Sequence, residues 1–163
     1  MSKFGSREIA TIGVMGALTY IAMVTMFPVP ATSGYFSFGD AIVMITALTF
    51  GPVVGAIVGG LGSGLADFLG GWYNWVAFTA VIKGTEGYIV GILAGDPETR
   101  TFNKTVIAWF MGAIVMVTGY FIVHVFMYDL RVAMVEIPFN LIQMIVAGIV
   151  GIPVSIVVKN RHL

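Results

Sequence analysis

Asp67, Lys83 and Glu86 are ionisable residues set in stretches otherwise apolar enough to cross a bilayer. A charged side chain at mid-bilayer costs roughly 2.5–3.5 kcal/mol on insertion scales, so such residues usually face a cavity or a partner. Four further polar residues fall at comparable depth in later apolar stretches: Tyr120, His124, Asn140 and Gln143. Trp72, Tyr73 and Trp75 stand just before the stretch that carries Lys83. Rings for stacking and a few placed donors and acceptors are what a flat heteroaromatic ligand requires.

Each of these residues also has a plain structural use. Lys83 and Glu86 are three apart and can pair on one helix. Asp67 can cap or bridge helix ends, and Asn140 and Gln143 can link helices by hydrogen bonds. The aromatic trio can serve as an interfacial belt. Convergence favours binding, because the aromatics lie at the mouth of the same polar cluster. Catalysis is not expected. The chain has no Cys, and Ser63 and His124 fall on different spans with nothing marking them as a nucleophile and base. There is no Gly-x-x-x-x-Gly-Lys-Ser/Thr phosphate loop. Two histidines far apart make no metal site, so neither metal nor cofactor is expected.

The elements that must position these residues follow from composition. Of 163 residues, 58% are hydrophobic and only 10% charged, with a mean hydropathy of +0.98. A soluble domain averages about 25% charged residues, so the chain reads as a membrane protein. Eight basic and eight acidic residues leave no basic field for nucleic acid. The pattern predicts one integral membrane domain over 1–163, with spans at about 9–27, 39–50, 52–69, 75–94, 105–127 and 136–158. The first run is too long for a signal-peptide core and is followed by Phe27-Pro28-Val29-Pro30. Gly51-Pro52 divides 39–69, since proline disfavours helix at the preceding residue. Pro138 is expected in the first turn of the sixth span, where a missing N–H costs little. Gly55 and Gly59, four apart, allow close approach of another helix.

An all-α bundle of six spans with both termini cytoplasmic places Lys3, Arg7, Arg100, Lys104, Lys159 and Arg161 inside and Arg131 alone outside. That asymmetry obeys the positive-inside rule. In this orientation Lys83 lies roughly 12 Å below the outer face and Glu86 roughly 16 Å, at ~1.5 Å per residue. Polar side chains from four spans then share the outer half, a pattern of an externally open pocket more than of a channel.

The order Phe38-Gly-Asp40, Phe50-Gly-Pro52, Ala66-Asp67, Lys83-Gly-Thr-Glu-Gly87 and Pro138-Phe-Asn-Leu-Ile-Gln143 resembles the S-components of energy-coupling factor (ECF) transporters, the vitamin importers of prokaryotes. The resemblance covers nearly the whole chain. It implies a capture subunit in a prokaryotic plasma membrane, taking a small heteroaromatic vitamin or precursor of the riboflavin, pyridoxine or thiamin-precursor class. It implies Asp67, Trp72, Tyr73, Trp75, Lys83, Glu86, Tyr120, His124, Asn140 and Gln143 as the substrate site. It further implies a coupling subunit and two ATPases as partners, docked through small residues of the first span, here Ala10, Gly13 and Ala17. Two alternatives are a stand-alone proton-coupled transporter, with Glu86 or Asp67 carrying the proton, and a structural subunit of a membrane complex.

Overall fold

The computed structural model describes residues 5–29, 32 and 34–161, the last three as backbone only. Lys3, Pro30 and His162 therefore lie outside the described residues, as do the side chains of Lys159 and Arg161. Helix α1 spans Ser6–Val24. Two short antiparallel strands follow, β1 (Phe27–Pro28) and β2 (Tyr35–Phe36). Helix α2 spans Gly39–Ile57, a π-helical turn Val58–Gly62, and α3 Ser63–Leu69. The remaining helices are α4 (Val76–Ala94), α5 (Phe102–Met127) and α6 (Leu130–Arg161). Among the described residues, five helical stretches are long and apolar enough to cross a membrane, counting Gly39–Leu69 as one.

That stretch is bent back on itself. Gly51 has φ 84° and ψ −177°, a backbone state that glycine adopts without a Cβ penalty. A Cβ on Gly55 would lie 2.7 Å from the Ala47 Cβ, and one on Gly59 3.2 Å from Val43 Cγ1. Along a straight helix those pairs would stand about 12 and 24 Å apart. The limbs 39–50 and 52–69 therefore run antiparallel, and the break expected at Gly51-Pro52 is a hairpin.

The second limb packs its backbone on α4. Gly55 meets Gly87, Gly59 meets the Lys83 carbonyl, and Gly60 would bring a Cβ to 3.0 Å from the Ala80 carbonyl oxygen. Between membrane helices, where lipid is as apolar as the side chains, such small residues permit the close van der Waals contact that holds the pair. Met44, Leu48, Val90, Met116 and Met144 fill the core between α2, α4, α5 and α6. Arg100, in the loop before α5, donates to the Leu48 carbonyl beside the hairpin turn.

Three helices differ from expectation: α1 is Ser6–Val24 instead of 9–27, and α5 and α6 both start early. Helix α5 begins at Phe102, because the Thr101 hydroxyl accepts from the Lys104 N–H at 3.4 Å. Helix α6 begins at Leu130, because the Asp129 carboxylate accepts the Val132 N–H at 2.9 Å. A side-chain cap of this kind satisfies one of the orphan donors of a first turn. The loop expected over 128–135 is thus nearly absent. Pro138 lies in the helix interior instead of its first turn.

Candidate functional site

The site has a floor of buried charge. Asp40, in the first turn of α2, accepts from both Lys83 of α4 and Gln143 of α6. All three are sequestered, at 0, 2 and 6% exposure. The N-terminal end of α2 is also favourable for a carboxylate, through the helix dipole. Lys83 stands 3.7 Å from Glu86, one turn deeper on the same helix, and 5.3 Å from the centre of the Tyr120 ring. Gln143 spends its other end on the loop, its carbonyl oxygen accepting the Ser37 N–H at 2.8 Å.

Walls and roof are aromatic. Tyr35, on β2, donates to Asp67 of α3 and packs at 5.3 Å on Trp72. Burial, and then the neighbouring Asp67 charge, push the Tyr35 phenol well above its usual range, so it stays protonated and donates. Trp75 packs at 4.5 Å on the His124 imidazole and at 5.9 Å on Tyr120. Tyr120 donates to the Thr79 hydroxyl at 3.2 Å. His124 Nδ1 lies 2.8 Å from the Tyr120 carbonyl oxygen, which only accepts, so Nδ1 carries the proton. The other nitrogen, Nε2, is 3.7 Å from Glu136 Oε1.

These groups line a cavity of about 40 Å³. Four buried polar atoms on its lining residues have no hydrogen-bond partner among the described residues: Asp67 Oδ2, Trp75 Nε1, His124 Nε2 and Glu136 Oε1. An unpaired buried polar atom costs about 1–3 kcal/mol, so four around one space mark a place where a guest supplies the missing bonds.

The chain matches the family described as ECF-type riboflavin transporter, S component, over residues 3–160. It belongs to that family. An uncharacterized protein of Pyrococcus woesei is 39% identical over 145 residues, covering 89% of this chain and 96% of that one. The thiamine precursor transporter HmpT of Lactococcus lactis is 27% identical over 165 residues, covering 100% and 94%. A solved structure described as the S component of a bacterial ECF transporter superposes with a TM-score of 0.72 at 23% identity, covering 94% of this chain and 96% of that one. The shared fold is thus that of a membrane transporter subunit, and the family is one of S components, not of enzymes.

In this S component, eight of the ten expected site residues come together around the cavity. Asp67, Trp72 and Trp75 lie towards the roof, with Lys83, Tyr120, His124, Asn140 and Gln143 from α4, α5 and α6. Tyr73 and Glu86 do not join them. Tyr73 is 66% exposed and packs outward on Phe68 at 5.6 Å, because the turn over 70–75 directs Trp72 and Trp75 inward and leaves Tyr73 outside. Glu86 is fully buried beneath the floor, one turn past Lys83. Nor is Glu86 the chief partner of Lys83, since Asp40 is closer.

Six lining residues of the S component escape a reading of spans alone: Gly34, Tyr35 and Ser37 from the loop, Thr79, Glu136, and Met23 of α1. Asp40 is missed as a site residue too. Asp40 and Glu136 carried a signal, being carboxylates beside long apolar runs, but they stood near expected span ends.

Proposed function

We propose that this S component is the high-affinity capture subunit of an ECF-type importer for a small heteroaromatic vitamin or precursor. The observation that carries the reading is the convergence of four unpartnered buried polar atoms, among aromatic rings, on one cavity. The cavity, about 40 Å³, is smaller than the roughly 300–1,000 Å³ of small-molecule sites, so in this reading the loops above it part to admit the ligand. The name of the Lactococcus relative, a thiamine precursor transporter, supports the ligand class, as does the riboflavin description of the family.

In this reading the chain crosses the membrane six times, with α2 and α3 contributing the two limbs of the hairpin and both termini cytoplasmic. The cavity then opens outward beneath the two segments that hold Tyr35 and Trp72. A coupling subunit and two ATPases of a prokaryotic plasma membrane power release. The coupling subunit docks on α1, where Ala10, Gly13 and Ala17 are all exposed and a Cβ on Gly13 would meet nothing within 4 Å. Only 11% of the apolar window of α1 is buried, against 56% for 39–69, so α1 offers most of its surface to lipid or a partner.

Native mass spectrometry of the protein purified from its host in mild detergent tests the proposal. The expected result is a bound small molecule of vitamin mass, released on collisional activation. A protein that carries no ligand, and binds none of riboflavin, pyridoxine, thiamine or an aminopyrimidine at micromolar concentration, would overturn it.

A further inference from the structure

Glu136 and His124 face each other across one edge of the cavity, with Glu136 Oε1 and His124 Nε2 3.7 Å apart. Both side chains are nearly sequestered, at 2 and 3% exposure, and both facing atoms lack a hydrogen-bond partner. Because His124 Nδ1 donates to the Tyr120 carbonyl, the neutral imidazole offers Nε2 as an acceptor. With the imidazole neutral, two acceptors stand side by side, unable to bond each other and close enough to share one guest. Asp67 Oδ2 is a third open acceptor, and Trp75 Nε1 an open donor.

Charge points the same way. The single lysine of the lining is already engaged by Asp40, with Glu86 behind it. Among the described residues, the Glu136 carboxylate forms no ion pair with a lysine or arginine. An anion brought beside Glu136 would meet its carboxylate in a medium of low dielectric, where like-charge repulsion is poorly screened.

We propose that the His124–Glu136 pair is the polar recognition element of the cavity, receiving an N–H group of the ligand ring or its amino substituent. Neutral or cationic nitrogen heterocycles are accepted, and their phosphate esters are refused. The proposal rests on the capture reading above and narrows its ligand class. It also gives a role to Gly34, where a Cβ would come within 2.7 Å of the Glu136 carboxyl carbon, so the roof strand closes directly over this carboxylate.

The test is a fluorescence titration of the full chain in detergent. The probes are riboflavin, thiamine, pyridoxine and 4-amino-5-hydroxymethyl-2-methylpyrimidine, each beside its phosphate ester. The expected result is that the probe that binds does so at least tenfold more tightly than its own ester. Glu136→Gln then weakens that probe about tenfold and narrows the gap to the ester, while elution from a sizing column is unchanged. His124→Gln reads the same pair if Glu136→Gln fails to fold. An ester within tenfold of its parent overturns the inference and leaves the capture reading standing. So do variants that leave the preference intact. Binding of no probe overturns both.

Discussion

Lys83 and Asp40, 43 positions apart, form an ion pair with almost no access to solvent. The pair ties the middle of α4 to the first turn of α2, and Gln143 adds α6 to the same carboxylate. Breaking a buried pair by removing one partner typically costs about 3–5 kcal/mol, because the survivor is left charged and unpaired. Lys83→Met and Asp40→Leu alone are each expected to lower the thermal midpoint in detergent sharply. The double variant should recover much of the loss. Strictly additive losses would show that the two charges do not support each other.

Much of this floor was legible in the chain, for a physical reason. Asp67 and Lys83 announce themselves because a charge in an apolar run demands an explanation. The hairpin at Gly51-Pro52 was legible because proline constrains the residue before it. Asp40 and Glu136 fall at the ends of the expected spans 39–50 and 136–158, where a charge is less conspicuous. Hydropathy gives a helix start only to within a turn, and the start of α6 is decided by the Asp129 cap, a single hydrogen bond. Tyr35 and Ser37 left no signal, since a polar loop does not say which of its residues fold inward. Glu86 is the opposite case. Three residues from Lys83 is the right face but one turn too deep.

Gly87→Ala tests the backbone contact that sets the depth of Lys83. A Cβ there would run into the Gly55 carbonyl, with the Ala56 nitrogen at 3.2 Å, and backbone cannot swing aside as a side chain can. Overpacking of this kind costs about 1–3 kcal/mol. The thermal midpoint should fall, and ligand affinity with it. An unchanged midpoint would mean that α4 can slide on the second limb.

Gly34→Ala makes a contrasting case. The new Cβ meets only the far end of the Glu136 side chain, which can move. Stability should change by less than about 1 kcal/mol, within the range of substitutions that leave the core intact. Affinity for the preferred probe should drop severalfold, as Glu136 is displaced from His124. A variant that binds like the parent would free the roof strand from any part in recognition.

Tyr35 should not titrate with ordinary tyrosines. Burial and the Asp67 charge raise its phenol above the reference value of 10.0. A raised folded value means the neutral form is favoured, so the roof contact is intact below that reference and is lost only as pH climbs past it. The ultraviolet titration of Tyr35→Phe should match the parent through pH 10. A step near pH 10 that vanishes in the variant would show a solvent-exposed phenol and an open roof.

Trp75→Phe separates ring from donor at the mouth of the cavity. The indole packs on His124 at 4.5 Å, and its N–H is buried without a partner. Phenylalanine keeps an apolar ring for stacking and removes the N–H. If that N–H waits for a ligand acceptor, losing it costs the complex one hydrogen bond, about 0.5–1.5 kcal/mol, or roughly two- to tenfold in affinity. The free protein should gain slightly or stay level in stability, because an unsatisfied donor has been deleted. The two readouts therefore move apart, which a purely structural indole would not produce. Isothermal titration with the preferred probe, beside a thermal melt without it, measures both. A melt that falls together with affinity would assign Trp75 to packing.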